Sequence, residues 1–517
     1  PIPIWRTENN DFEICISSIK QLKSEIEKSI KAGLMESNPL AKFNTNSLSE
    51  ENYSSFDLHR PYVDQIVLVS KDGRPMKREL DLIDVWFDSG AMPYAQLHYP
   101  FENKELFTHN FPANFIAEGV DQTRGWFFTL HAISTMLFDS VAYKNVISNG
   151  LVLDKNGGKM SKRLGNTVDP FSIINTYGAD ATRWYMVSNA QPWDNLKFDE
   201  GGILEVQRKF FGTLFNVYSF FALYANIDNF LYREETVPPQ KRNEMDRWIL
   251  SEMNSLTSIV EEKYDDYEPT AAARLIQNFV INKLSNWYVR LNRRRFWKGE
   301  YTADKIAAYQ TLYECLESIS IIAAPIAPFF MDKLFTDLNS ITKISNASSV
   351  HLANFPTYNS SIVNTSLERR MNLAQKITSL ALSLRKKEKI RVRQPLQKIM
   401  IPILDNKTKN DVESMAEIIK QELNVKTIKF LSEDSGILKK QIKPNFKTLG
   451  PKFGKDMGLI ASKISHLSLS DIKQLEEKKY SIINDKIKIE INDVEISLAE
   501  IPGFSIASDE GVTVALD

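Results

Sequence analysis

The feature that most constrains this fold is a change in hydrophobic period near residue 203. From about 81 to 200, short apolar runs alternate with helical stretches. Asn114-Phe115-Ile116-Ala117 reads as a buried strand, 129–138 as a helix and Val146-Ile147 as the next strand. Strands that alternate with helices predict a parallel sheet with crossovers. Ligands of such a sheet sit at the carboxyl ends of its strands, so the residues just after Ala117 are the first place to look. Beyond 203 the strand signal gives way to helical stripes, with Leu204, Phe211, Leu214, Phe215, Tyr218, Phe221 and Leu223 at helical spacing. After a polar, Pro-containing linker at 233–244, helical patterning persists to about 390, which predicts a helix bundle.

The two ends differ from this centre. Residues 11–37 carry Ile16, Ile19, Leu22, Ile26 and Ile30 at helical spacing, residues 38–60 read as a polar loop, and Ile66-Val67-Leu68-Val69 before Lys71-Asp72-Gly73 reads as a strand and tight turn. After Pro395 the pattern mixes again. Ile399-Met400-Ile401-Pro402-Ile403 and Thr427-Ile428-Lys429-Phe430-Leu431 are expected to be strands flanking a helix at 408–422. Ile487-Lys488-Ile489-Glu490-Ile491 is expected to pair with Val494-Glu495-Ile496 across an Asn492-Asp493 turn. The resulting division is 1–200 α/β with a small insertion at about 38–80, 201–240 connecting helices, 241–398 an all-α bundle, and 399–517 a small α+β domain.

Composition excludes several classes. Only two cysteines occur in 517 residues, Cys15 and Cys315, so neither a disulfide framework nor a cysteine-based structural zinc site is expected, and a reducing, cytoplasmic setting is. No stretch of about 18 uninterrupted apolar residues occurs, and the most apolar run, 319–330, is broken by Ser320, Pro325 and Pro328, so no membrane span is expected. The formal net charge of −1 does not exclude nucleic acid, because binding responds to local charge. Residues 283–298 hold six basic side chains (Lys283, Arg290, Arg293, Arg294, Arg295, Lys298) and no acid, interleaved with Trp287, Tyr288, Phe296 and Trp297. Residues 385–398 hold seven basic side chains against Glu388 alone, and 436–455 hold six lysines and no acid. Basic groups pair with phosphates and rings stack on unpaired bases; solvated helix faces and core aromatics are the competing explanation.

The most specific string is Gly157-Gly158-Lys159-Met160-Ser161-Lys162-Arg163-Leu164-Gly165-Asn166. Its glycines allow close approach to a ligand. Its two lysines bracket Met160 and Ser161, so both ammonium groups can reach one polyphosphate and stabilise charge on a transferring phosphate.

This string resembles the KMSKS loop of the class I aminoacyl-tRNA synthetases, with Arg163 in place of the final Ser. Asp57-Leu58-His59-Arg60-Pro61-Tyr62-Val63-Asp64, Asp84-Val85-Trp86-Phe87-Asp88-Ser89-Gly90 and Glu118-Gly119-Val120-Asp121-Gln122-Thr123-Arg124-Gly125-Trp126-Phe127 resemble the isoleucyl-specific synthetases. The match is strong from Pro1 to about Arg393 and looser beyond, where Lys443-Pro444-Asn445-Phe446 and Gly450-Pro451 still match; the lack of a Cys-rich tail resembles the eukaryote-like branch. The resemblance implies the second half of a Rossmann-type class I catalytic domain, an anticodon-binding bundle and a C-terminal α+β domain. It implies activation of L-isoleucine by ATP, with Mg2+ accompanying the nucleotide, and transfer to tRNA(Ile). Carried over residue by residue, Lys159 and Lys162 stabilise phosphate charge. Glu118, Gly119, Asp121 and Gln122, with Lys162, hold ATP and the adenylate. Trp86 and Trp126 wall the side-chain pocket. The basic, aromatic segment 283–298 argues separately, from its own residues, for tRNA contact through Arg290, Arg293, Arg294, Arg295 and Trp297. An apolar pocket separates substrates one methylene apart by only about 1–3 kcal/mol, a magnitude established on this family itself.

The six histidines (His59, His98, His109, His131, His351, His466) form no His-x-Gly-His string, the family's other ATP-binding motif. With a start in mid-pattern at Pro1-Ile2-Pro3-Ile4-Trp5, this leads to the expectation of an internal piece of a longer polypeptide, poorly active alone. Valyl- or leucyl-specific enzymes, a non-catalytic RNA-binding module and a nucleotide-binding protein without tRNA chemistry are the alternatives.

Overall fold

The computed structural model describes residues 1–402, 406–431, 440–467 and 471–516, apart from 473, 474, 476, 477, 484–486, 499–504, 510 and 511. The chain divides into two units, one formed by 1–167 with 190–198 and the other by 168–189 with 199–517.

The first unit opens with an antiparallel sheet of strands β1 (Ile4–Arg6), β2 (Glu13–Cys15), β3 (Val67–Val69) and β4 (Pro75–Arg78), in the order β2-β1-β4-β3. The helix Ile19–Lys31 packs on it, and Trp5, Leu22, Ile26, Leu40, Ile66 and Leu68 form the core. Trp5 donates its indole N–H to the Ile66 carbonyl at 2.8 Å, so this buried ring leaves no polar atom unsatisfied. The helix is shorter than its apolar spacing suggests. Ser18 caps it by accepting from Gln21 N, and residues 13–15 pair with β1 instead. Ile16 is buried but belongs to the strand side of that cap.

The crossover follows. β5 (Ile116–Gly119) and β6 (Val146–Asn149) pair in parallel, joined by the helix Trp126–Phe138. The strand therefore runs two residues beyond Ala117, and Glu118 and Gly119 form its carboxyl end instead of following it. β7 (Val152–Leu153) pairs in parallel with β8 (Leu196–Lys197). The helix Val85–Gly90 lies against Trp126–Phe138. A Cβ at Gly90 would stand 2.7 Å from Ile133 Cδ1 and 3.0 Å from the Thr129 backbone, so only glycine permits this approach.

The second unit is mostly helical. Glu200–Asp228 is one continuous helix, long and apolar enough by length and composition to cross a membrane, although polar residues such as Asn216 and Ser219 interrupt its apolar sequence. Its Phe210, Leu214, Val217 and Phe221 are buried, with Phe210 stacked on Trp184 at 4.1 Å, so this face belongs to a protein core. The helices Glu244–Asp265, Pro269–Asn278, Ala303–Ala323, Pro328–Thr342 and Thr365–Lys387 build the expected bundle. Between Pro269–Asn278 and Arg290–Trp297 the chain winds as a π-helix over Phe279–Val289.

β9 (Leu396–Pro402) and β10 (Val425–Leu431) pair in parallel across the helices Asn406–Ser414 and Ala416–Leu423; Ile403 lies outside the described residues. The proposed hairpin at 487–496 does not form. β11 (Lys440–Pro444) takes β14 (Val494–Leu498) as its partner, while β12 (Tyr480–Ile483) pairs with β13 (Ile487–Glu490). Asn492-Asp493 lies in a 3-10 turn whose Glu490 and Asp493 cap one another, which separates the two strands instead of folding them together. β15 (Ser505–Asp509) and β16 (Val512–Leu516) complete the order β10-β9-β16-β15.

Candidate functional site

The carboxyl ends of β5 and β6 stand in register, Glu118 opposite Ser148 and Gly119 opposite Asn149. The chain then turns through a 3-10 segment, Val120–Arg124, into the helix Trp126–Phe138. Gln122 fixes that entry. Its Oε1 accepts the Trp126 backbone N–H at 2.9 Å while its Nε2 donates to Asp121 Oδ2 at 3.0 Å. Glu118 and Asp121 stay exposed. The buried Ser148 hydroxyl has no hydrogen-bond partner among the described residues, a group that sequence reasoning passed over.

Both tryptophans lie beside this entry. Trp126 donates its indole N–H to the Ser89 carbonyl at 3.0 Å, which ties it to the helix Val85–Gly90 that carries Trp86. A side chain at Gly125 would meet Trp86 Cη2 at 3.2 Å. Trp86 is 44% exposed and Trp126 half-buried, so the pair is not sealed in a core.

The lysine loop is held by residues outside its motif. Asp154 Oδ1 accepts from the backbone N–H of Asn156 at 2.9 Å and of Gly158 at 2.8 Å, and its Oδ2 accepts from Asn166 Nδ2 at 2.8 Å. Asn166 Oδ1 in turn accepts from Ser161 N at 2.9 Å, and its amide donates to the Lys159 carbonyl at 3.2 Å. The hydrogen bond from Asn166, followed by that from Gly158, holds the Asp154 carboxyl below its ordinary range. Lys159 and Lys162 are exposed, and among the described residues neither has an ion pair. The loop's backbone is thus fixed while its two ammonium groups are left free. The sequence singled out Asn166 only as the end of the ten-residue string and did not single out Asp154; what they clasp is set by the folded loop.

The basic segment separates into two sets. Arg295 places its terminal nitrogens 2.8 Å from each oxygen of the fully buried Asp246 and also meets Asp304. Burial opposes the Arg295 charge, but Asp246 more than compensates and its pKa is raised. Tyr288 donates to the same Asp246 at 2.6 Å, and burial first, then this carboxylate, push its phenol well up. Arg290 pairs with Glu422 and lies 5.9 Å from the Trp287 ring, and Lys283 pairs with Glu252. Trp287, Tyr288 and Phe296 are buried. Arg290 and Arg295 therefore hold protein carboxylates, and three of the four rings are core. Arg293, Arg294 and Trp297, the last 56% exposed, form the outward set.

Residues 1–199 match the family model "tRNA synthetases class I (I, L, M and V)", and residues 246–400 match "Anticodon-binding domain of tRNA ligase". The whole chain is 59% identical to a protein of Bacteroides fragilis named isoleucine–tRNA ligase and covers 46% of it. It is 58% identical to the protein of that name in Cytophaga hutchinsonii, again covering 46% of it, and 42% identical to that of Clostridium novyi, covering 48%. The chain thus spans about half the length of these relatives. The chain thus matches a class I tRNA synthetase domain over residues 1–199 and an anticodon-binding domain over 246–400, and its likeness to the isoleucine–tRNA ligases is sustained from end to end.

Proposed function

We propose that the full-length protein is an isoleucine–tRNA ligase. In the first step a carboxylate oxygen of L-isoleucine attacks the α-phosphorus of ATP. The bond from that phosphorus to the β-phosphate oxygen breaks, giving isoleucyl-adenylate and pyrophosphate. In the second, the 2′-hydroxyl of the terminal adenosine of tRNA(Ile) attacks the acyl carbon and AMP leaves.

The observation that carries this reading is the clasped loop presenting Lys159 and Lys162 without an ion pair among the described residues. Ammonium groups without an intramolecular partner are available to the phosphate oxygens that gain charge as pyrophosphate departs. A backbone fixed before reaction keeps their reorganisation small. Glu118, Gly119, Asp121 and Gln122, at a strand's carboxyl end and the turn after it, hold the adenylate. Trp86 and Trp126 wall the isoleucine side chain. Magnesium enters with the ATP phosphates; among the described residues no group of three or more His, Cys, Asp or Glu side chains is placed to hold an ion.

Residues 1–200 contribute to catalysis and 241–398 to anticodon binding, joined by 201–240 and followed by 399–517. A cytoplasmic setting is supported by two free cysteines, Cys15 and Cys315. Isoleucine-dependent ATP–pyrophosphate exchange by the full-length protein tests the reading. Exchange driven in preference by valine or leucine moves it to the valyl or leucyl enzymes. The 517-residue chain alone, without a His-x-Gly-His string, is expected to exchange poorly; full turnover by it would show that those imidazoles matter little.

A further inference from the structure

The lysine tract at 436–455 has no part in the roles described so far. Its described portion ends β11, turns at Asn445 and enters the helix Phe446–Phe453. This turn and the helix Met457–Ser465 border a cleft lined by Lys443, Phe446, Lys447, Ser462, Ser465 and Glu495.

The turn is fixed from behind. Asp493 is fully buried and accepts from Lys452 Nζ at 2.9 Å on each oxygen and from the Glu490 backbone N–H at 3.0 Å. Asn445 donates its backbone N–H to the Asp493 carbonyl at 2.9 Å and its side-chain amide to the Asn492 carbonyl at 3.2 Å, and its Oδ1 accepts from Lys447 N at 3.1 Å. The charge of Lys452 is therefore matched inside the domain. Lys443 and Lys447 are exposed and have no ion pair among the described residues. Between them Phe446 holds its ring 63% exposed. Glu495, in register with Lys443, leaves the ionised lining side chains with one net positive charge.

A preorganised turn that holds an aromatic face in water between two ammonium groups without an ion pair among the described residues combines the two elements of single-strand recognition: a stacking platform and phosphate-directed charge. The small face of Ser462 and Ser465 leaves room for a sugar–phosphate backbone, and Ser462 offers it a hydroxyl, that of Ser465 already donating to the Ala461 carbonyl at 3.0 Å. A lone ring is little apolar area for a membrane surface. We infer that this cleft binds unpaired RNA, with Lys443 and Lys447 on successive phosphates and one base stacked on Phe446. The inference rests on the tRNA part of the proposed function and extends RNA contact into the C-terminal domain.

The test uses the full-length protein with Lys443→Ala/Lys447→Ala, Phe446→Ala and the conservative Lys443→Arg/Lys447→Arg. The probes are a labelled twelve-residue oligouridylate, a tRNA(Ile) transcript and phosphatidylserine vesicles. The double alanine variant is expected to bind both RNAs about five-fold or more weaker, with a salt slope reduced by about 1.4 for two lost single-strand phosphate contacts. Phe446→Ala is expected to weaken oligouridylate binding by about five-fold or more without changing that slope, and the arginine variant to bind as the parent does. Isoleucine-dependent exchange, which needs no RNA, reads folding and the proposed function separately. RNA affinity and slope unchanged in both alanine variants, with exchange intact, overturn the inference. So does lysine-dependent binding to the vesicles with RNA binding unaltered.

Discussion

Arg295 grips Asp246 through both terminal nitrogens, each 2.8 Å from a carboxylate oxygen that lies fully inside the bundle. This pair splits a run of three consecutive arginines by task. Successive residues on a helix point about 100° apart, so Arg295 turns inward while Arg293 and Arg294 face solvent.

That division predicts opposite phenotypes for neighbouring substitutions. Arg295→Ala leaves Asp246 charged and buried with the Tyr288 hydroxyl as its remaining side-chain hydrogen-bond donor among the described residues, a loss of about 3–5 kcal/mol in urea unfolding. Arg293→Ala with Arg294→Ala is expected to change stability by no more than about 0.5 kcal/mol. The same double variant weakens tRNA binding and lowers its salt slope by about 1.4 to 1.8. An unchanged slope would return these two arginines to a merely solvated face.

The sequence could not make this distinction, and the reason is distance along the chain. Asp246 lies 49 residues from Arg295 and Glu422 lies 132 from Arg290, so a local reading counted six equivalent cations. The crossover from β5 through Trp126–Phe138 to β6 was legible because an apolar run and a helical stripe are local signals. The hairpin misread at 487–496 has the reverse cause: the partner of β14 is β11, about 50 residues upstream. The Trp86–Gly125–Trp126 arrangement was readable only through family resemblance, since indoles at such spacing are more often core.

Lys159 and Lys162 lend themselves to a clean separation of catalysis from stability. Both are exposed and, among the described residues, without an ion pair, so alanine at either position is expected to leave thermal unfolding unchanged. In the full-length protein, Lys162→Ala should lower exchange by roughly 10²–10³-fold, the usual effect of removing one transition-state charge partner. A comparable rise in KM for ATP with kcat intact would make the contact one of ground-state binding instead.

The Asp154 clasp gives a pH dependence whose sign is fixed. Its folded pKa lies below 3.8, so its contribution to loop order is full above that value and fades as pH falls through the lowered pKa. Amide hydrogen exchange at Gly158, whose N–H bonds the carboxylate, should show this loss of protection in acid. Asp154→Asn should remove the step and leave Gly158 less protected at neutral pH. An identical profile in the variant would mean that the backbone turn orders itself.

The approach of two helices at Gly90 links packing to the proposed isoleucine pocket. A methyl group there would lie 3.0 Å from the Thr129 backbone and 2.7 Å from Ile133 Cδ1, and backbone cannot move aside as a flexible side-chain end can. Gly90→Ala therefore forces the helix Val85–Gly90 away from Trp126–Phe138, at about 1–3 kcal/mol for overpacking. The same displacement strains the Trp126–Ser89 hydrogen bond and shifts Trp86 relative to Gly125. In the full-length protein, KM for isoleucine should rise more than KM for ATP, because the lysine loop is anchored separately through Asp154 and Asn166. A variant that unfolds earlier with both KM values unchanged would show that this helix contact supports stability alone.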